Sequence, residues 1–198
     1  MLKHYLSGKI LVAGCDEAGR GCLAGPVVAA AVILPPDFSH PKLNDSKKMK
    51  EADREAVREA VIEKALAWAV GICDHEEIDR INILNASLLA MQKAISKLKP
   101  LPGLLIIDGN RFHPYKKIPH QCVVGGDGIY TQIAAASVIA KTERDRIMNE
   151  LHLSYPQYGW DRNKAYGTAS HREAIFKYGR TPFHRKSFKT VFQTTLDL

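Results

Sequence analysis

Ile10-Leu11-Val12-Ala13-Gly14-Cys15 runs straight into Asp16-Glu17-Ala18 and then Gly19-Arg20-Gly21, and this juxtaposition constrains the fold more than any other segment. A short apolar run reads as a buried strand. Carboxylates at its end are costly unless that end opens onto a polar site. Side chains alternate faces along a strand, so Asp16 and Glu17 cannot share a face of a regular strand, and a turn or bulge at Glu17 is expected to re-aim one of them. Two carboxylates converging at a strand end suggest a cation site.

The same pattern recurs along the chain. A second strand is predicted at 26–34, joined to the first by a glycine-rich connection as a hairpin-like opening. Pro35, Pro36 and Pro41 mark a loop, and Asn44-Asp45-Ser46-Lys47-Lys48 carries helix-entry chemistry. A helix is expected from about residue 50, with Val57, Ala60, Val61, Ala65 and Trp68 on one face, leading into a short strand at 69–73. Between 75 and 99, Ile81, Leu84, Leu88, Met91, Ile95 and Leu98 recur at three- and four-residue spacing. That stripe predicts one long amphipathic helix, packed on a sheet rather than forming a coiled-coil seam. Residues 104–107 form a buried strand that again delivers an acid, Asp108. A strand at 121–124 exits through Gly125-Gly126-Asp127-Gly128 to a helix over 130–153, whose Ala134-Ala135-Ala136-Ser137 would allow close packing on a sheet. Thr168 or Ser170 is expected to cap a last helix ending near Gly179.

Strands alternating with helices after a hairpin imply an α/β domain with a mixed sheet flanked by helices. Sites in such sheets gather at strand ends, where Asp16, Glu17, Asp108 and Asp127 are all expected to fall. Crowded carboxylates repel one another and raise their pKa values unless a cation neutralises them. Oxygen-only ligands favour Mg²⁺ or Mn²⁺ over zinc, and two such ions about 3.5–4 Å apart can activate water and stabilise the leaving oxygen of a phosphodiester. Singly, Asp108-Gly109-Asn110 and Asp127-Gly128 also read as ordinary turns.

The net charge is +7, and residues 139–190 hold eleven Lys/Arg against five Asp/Glu, or +6 of it. Tyr155, Tyr158, Trp160, Tyr166, Phe176, Tyr178, Phe183 and Phe188 interleave with those cations, as phosphate contact and base or sugar stacking require; a solvated basic face is the alternative. Cys15, Cys22, Cys73 and Cys122 lack metal-ligand spacing and read as buried free thiols in a reducing compartment. With no leader-like apolar region and no apolar run near about 18 residues, a cytoplasmic protein without a membrane contact is expected. The 198 residues, 45% hydrophobic, predict a single monomeric domain over 1–198, with 155–198 a small helical, basic and aromatic extension that contributes to substrate binding.

A set of motifs in fixed order carries a family resemblance: Asp16 to Gly21, Ala24-Gly25-Pro26-Val27-Val28, Leu43-Asn44-Asp45-Ser46-Lys47-Lys48, Asn82-Ile83-Leu84-Asn85-Ala86, Ile107-Asp108-Gly109-Asn110 and Gly126-Asp127. They continue with Ala134 to Lys141, Arg144-Asp145, Tyr155-Pro156-Gln157-Tyr158-Gly159, His184-Arg185 and Ser187-Phe188. Over nearly its whole length the chain resembles bacterial ribonuclease HII, the type 2 ribonuclease H. The resemblance implies a ribonuclease H-like fold in which Asp16, Glu17, Asp108 and Asp127 bind one or two Mg²⁺ or Mn²⁺ ions. It implies hydrolysis of the RNA strand of RNA–DNA hybrids, and nicking of duplex DNA 5′ to an embedded ribonucleotide to leave a 3′-hydroxyl and a 5′-phosphate, in DNA repair and replication. In the family a Gly-Arg-Gly turn reads the ribose 2′-hydroxyl, a role that falls on Gly19, Arg20 and Gly21; a tyrosine stacking on the next deoxyribose corresponds to Tyr166. Asn44, Ser46, Lys47 and Lys141 correspond to phosphate or backbone contacts.

Two departures stand out. The family commonly has Lys-Gly-Asp-Ser around the fourth acid, where this chain has Gly125-Gly126-Asp127-Gly128, and Lys-Gly-Tyr where it has Lys164-Ala165-Tyr166. Ribonuclease HIII, with a glutamate as fourth acid and an N-terminal substrate-binding domain, fits less well. A non-catalytic nucleic-acid-binding module and a resolvase-like nuclease of the same fold are the other readings. A sliding-clamp contact is at most suggested by the tail at 191–198.

Overall fold

The computed structural model describes residues 2–5, 7, 8 and 10–190. β1 (Val12–Ala18) and β2 (Val27–Ile33) form the expected antiparallel pair, and β3 (Ala67–Cys73) extends it antiparallel to β2. β4 (Leu104–Asp108) and β5 (His120–Val123) add on the other side in parallel, giving the order β3-β2-β1-β4-β5. The mixed sheet is as predicted, but the bulge at Glu17 is not there. Asp16 pairs with Ala30 and Glu17 with Ala29 in unbroken register, so the strand carries both acids and sends them to opposite faces.

Each face has its own cover. Ala13, Cys15, Ala29, Leu105 and Ile107 pack under Met91 and Ile95, while Ala30 and Val32 meet Val57, Val61, Ala135 and Ile139 on the other side. The first cover is broken where an unbroken helix was predicted: α2 (His75–Ile81) and α3 (Ile83–Lys97) part at Asn82, whose φ is 65°. Its ψ of 163° takes the chain out of helical geometry, and its side chain accepts the Asn85 N–H to start α3. The apolar stripe survives the break because Leu88, Met91, Ile95 and Leu98 all lie beyond it.

The opposite cover is α1 (Glu51–Lys64) with α4 (Thr131–Ser154). α1 buries Val57 and Val61 but ends before Ala65, and Trp68 lies in β3 rather than on the helix as expected. α4 comes so close to the sheet that a Cβ on Gly14 would meet the Gln132 backbone and lie 2.5 Å from the Ile133 nitrogen. The missing side chain of Gly14 makes this approach possible, and the small residues at 134–137 continue the close packing, as their size suggested.

Beyond α4, α5 (Trp160–Asn163) and α6 (Ala169–Tyr178) fold back onto the loop that follows β1. Leu23 N–H donates to Ala165, Gly25 N–H to Phe183 and Arg185 N–H to Leu23. Thr168, not Ser170, caps α6 through the His171 N–H, and Gly179 ends it. At the centre of this segment lie two buried histidines whose protons can be assigned. The Thr181 N–H donates to His184 Nδ1, so His184 carries its proton on Nε2, 3.2 Å from His171 Nε2. His171 Nε2 also accepts the Trp160 indole N–H, leaving its Nδ1 proton for the Tyr166 carbonyl.

Burial holds both imidazoles below their ordinary range, His184 down to about 4 with help from His171 and Arg180. A folded pKa below the unfolded value means that this stabilisation is complete above about pH 6.5 and is lost as pH falls toward His184's own value. In a Trp68→Phe background, Trp160 fluorescence should therefore report loosening of the segment between about pH 6.5 and 4. A transition that stays at the same pH in His184→Gln would assign it to other groups.

Candidate active site

Parallel pairing of Cys15 with Ile107 sets Asp16 beside Asp108 at the C-terminal ends of two adjacent strands. Both face the α4 side. Asp127 joins them from the 3₁₀ turn Gly126–Gly128 that follows β5, the next strand over. That turn is tied to Asp108, whose Oδ1 accepts the Gly126 N–H at 2.7 Å. Position 126 is tight: a Cβ there would lie 2.5 Å from Ile133 Cδ1, and that side chain would have to shift. Glu17, from the opposite face, still feels the charge of Asp108.

Asp16 is 4% exposed. Burial, then the charges of Glu17 and Asp108, push its pKa up, against hydrogen bonds from Ser137 and from the Glu17 N–H at 2.6 Å. Burial raises Glu17 too, with Arg20 opposing through a 3.1 Å ion pair. Asp127 is raised by burial, then by Asp108 and Asp45, with Lys47 opposing. Excess negative charge on buried carboxylate oxygens fits a hard divalent cation in kind and charge. As placed, however, no three His, Cys, Asp or Glu side chains among the described residues are gathered tightly enough to hold a metal ion. Each acid is engaged locally: Asp16 with the Glu17 N–H, Glu17 with Arg20, Asp108 with the Gly126 N–H, and Asp127 facing Lys47 Nζ at 3.8 Å.

The other expected contacts divide. Asn44 and Lys47 are both exposed on the loop between β2 and α1, and Lys47 lies beside Asp127. Ser46 is not an outward contact: its hydroxyl is buried and lies 2.9 Å from that of Ser137, so it backs Asp16 through Ser137. Lys141 is half-buried on α4 with both Asp145 carboxylate oxygens within 2.8 Å of its ammonium, and holds α4 rather than reaching outward. Arg20 is exposed and Gly19 has φ 97°, with the turn lying against Tyr166, which bridges to Cys22 and is 43% exposed.

Both departures have a structural setting. Gly128 has open space where a Cβ would be, and Gly125 sits at φ 66°, where a lysine would be strained. Lys47 supplies a cation beside Asp127 from a different loop. Ala165 adopts φ 64°, a conformation costing an L-residue about 1–2 kcal/mol. Its methyl is fully buried with Leu23, Tyr158 and Trp160, which returns about 0.8 kcal/mol.

Ser137 and Asp45 also bear on the acids, but in the sequence one lies in a run that reads as packing and the other in a turn. The largest omission is a pair of buried arginines. Arg144 donates to the carbonyls of Pro26, Ala24 and Lys164, and Arg185 to those of Gly25, Arg20, Gly19 and Pro26. Both stand in motifs that carry the resemblance, Arg144-Asp145 and His184-Arg185, but arginine is almost never fully buried, so the motifs gave no sign that these two lie inside.

The model of the family described as ribonuclease HII matches residues 13–191. A ribonuclease HII of Phocaeicola vulgatus is 60% identical over 96% of this chain and 95% of its own length, and one of Porphyromonas gingivalis is 53% identical over the same shares. Among solved structures, the ribonuclease H2 of Pyrococcus horikoshii superposes with a TM-score of 0.74 at 24% identity, covering 90% of this chain and 94% of that one. The PCNA:RNase HII complex of Archaeoglobus fulgidus gives 0.75 at 24% identity, with 95% and 99% covered. These two share the fold. A family match across most of the chain, together with relatives more than half identical along nearly their full length, means that the chain belongs to the ribonuclease HII family of metal-dependent endoribonucleases.

Proposed function

We propose that the protein hydrolyses the RNA strand of RNA–DNA hybrids and nicks duplex DNA on the 5′ side of an embedded ribonucleotide, leaving a 3′-hydroxyl and a 5′-phosphate. The observation that carries this reading is the sharing of one strand. β1 ends in Asp16 and Glu17, with Asp16 beside Asp108, and the next residues of the same chain make the Gly19-Arg20-Gly21 turn against Tyr166. Cutting and ribose recognition would then be held a fixed distance apart. Asp16, Glu17, Asp108 and Asp127 would hold Mg²⁺ or Mn²⁺. Such ions supply an activated water and charge stabilisation at the scissile phosphate.

The chain's own groups do the rest. Lys47, with its side chain 77% exposed beside Asp127, offers a cation to the phosphate backbone. The Ser46–Ser137 pair keeps Asp16 in its rotamer. Tyr166 presents a ring for a sugar beyond the turn, and the 2′-hydroxyl is what distinguishes RNA from DNA there. The basic and aromatic segment from residue 155 onward adds duplex contacts as part of the same domain. A sliding-clamp contact would rest on residues 191–198, which lie outside the described residues; its support is that the Archaeoglobus fulgidus structure is a complex with PCNA.

A DNA duplex with one ribonucleotide tests the reading. The expected result is a single metal-dependent nick 5′ to the ribonucleotide, with a ligatable 3′-hydroxyl at the upstream end. Cleavage confined to long RNA tracts would reject the ribose-reading role of residues 19–21, cleavage of all-DNA duplex would favour a resolvase-like nuclease, and binding without cleavage in any metal would favour a binding module.

A further inference from the structure

Arg144 and Arg185 are each 1% exposed, and the hydrogen-bonding partners of their guanidinium groups are carbonyls rather than carboxylates. Burying two cations side by side is expensive, and burial with the charge of Arg144 lowers Arg185 to about 10. Five of the carbonyls they use belong to one short stretch, Gly19, Arg20, Ala24, Gly25 and Pro26, and the two side chains share that of Pro26. Phe188 covers the Arg185 guanidinium, whose carbon lies 5.0 Å from the ring centre.

The consequence follows from peptide geometry. In a trans peptide the C=O and the following N–H point in opposite directions, and among the described residues only Lys99-Pro100 is cis. Arg185 pulls the Gly19 carbonyl inward at 2.7 Å and the Arg20 carbonyl inward at 2.9 Å. The N–H groups of Arg20 and Gly21 must then face away from the protein. Neither donates to any group among the described residues. The turn itself is pinned beneath, because a Cβ on Gly19 would collide with the Arg144 side chain.

We infer that Arg185 is the positioning residue of ribose recognition: by holding the Gly19 and Arg20 carbonyls inward it turns the Arg20 and Gly21 N–H groups outward as a fixed pair of donors to the substrate sugar. This rests on the reading of residues 19–21 given above. The C-terminal segment thereby sets the selectivity of a turn that precedes it by more than a hundred residues, as the separation of 165 between Arg185 and Arg20 shows.

Arg185→Lys tests it, since one ammonium keeps the charge but cannot span four carbonyls as a guanidinium does. The dissociation constants of two duplexes differing only in one 2′-hydroxyl are measured by fluorescence anisotropy in EDTA, for wild type and variant. The wild type should prefer the ribonucleotide duplex, and the variant should lose that preference by about tenfold, the worth of one well-placed hydrogen bond. Affinities that weaken equally, with the ratio intact, would make Arg185 a merely structural brace and overturn the inference. A wild-type ratio of one would instead reject ribose reading by the turn, and the inference with it, without reference to the variant. Should the variant not fold, the wild-type protein decides: the Arg20 and Gly21 amide ¹H–¹⁵N signals should shift on adding the ribonucleotide duplex and not the all-DNA one, and unmoved amides would overturn the inference.

Discussion

Asp108→Asn should lower hydrolysis by at least about 10³-fold, several kcal/mol of lost charge stabilisation at the reacting phosphate, while hybrid binding in EDTA should change little. The substitution is conservative in structure. The amide oxygen can still accept the Gly126 N–H that ties the Asp127 turn to β4. It also removes a negative charge that raises Asp16, Glu17 and Asp127 alike, so thermal stability should hold or rise. A stable, substrate-binding, inactive protein is therefore the expected combination. Rates with Mg²⁺ and Mn²⁺, anisotropy in EDTA and a melting curve check the three parts together. Turnover within about tenfold of wild type would remove Asp108 from the metal-holding set.

The second large effect is on stability. Gly14→Ala should cost about 3 kcal/mol or more, at the upper end of overpacking penalties, because the new methyl would meet backbone atoms of Gln132 and Ile133 rather than a flexible side-chain end. Relief requires α4 to move off β1. That motion would carry Ser137 away from Asp16, so activity should fall along with the melting temperature. Gly128→Ser is the matched control: its Cβ meets nothing within 4 Å, and it should shift stability by less than about 0.5 kcal/mol. Equal behaviour of the two variants in chemical denaturation would mean that α4 does not approach the strand as closely as described.

Position 82 shows the limit of reading helices from apolar spacing. The stripe from Leu84 to Leu98 identified the buried face of α3 correctly, but periodicity is insensitive to one residue turning out of helical geometry, and the signal for that was a capping asparagine within an apolar pattern. The strand pattern erred in the opposite direction at Glu17. Two adjacent acids suggested a bulge, whereas the sheet keeps its register, and the length of the glutamate side chain with the nearness of the strand end lets Glu17 sense Asp108 from the other face. Ser46 and Lys141 lay in motifs that pointed outward, and tertiary packing turned one onto Ser137 and the other onto Asp145.

What the sequence determined by itself was local and periodic: strands delivering Asp16 and Asp108, the glycine turns after them, the mixed sheet and the family. These rest on alternation, turn chemistry and motif order, all of which act over a few residues. Only the tertiary structure decided which acids become neighbours, because that depends on the parallel register of β1 with β4 across some ninety residues of chain. It alone placed Arg144 and Arg185 beneath the Gly19-Arg20-Gly21 turn, since a guanidinium is worth burying only where folding has already converged several carbonyls upon it.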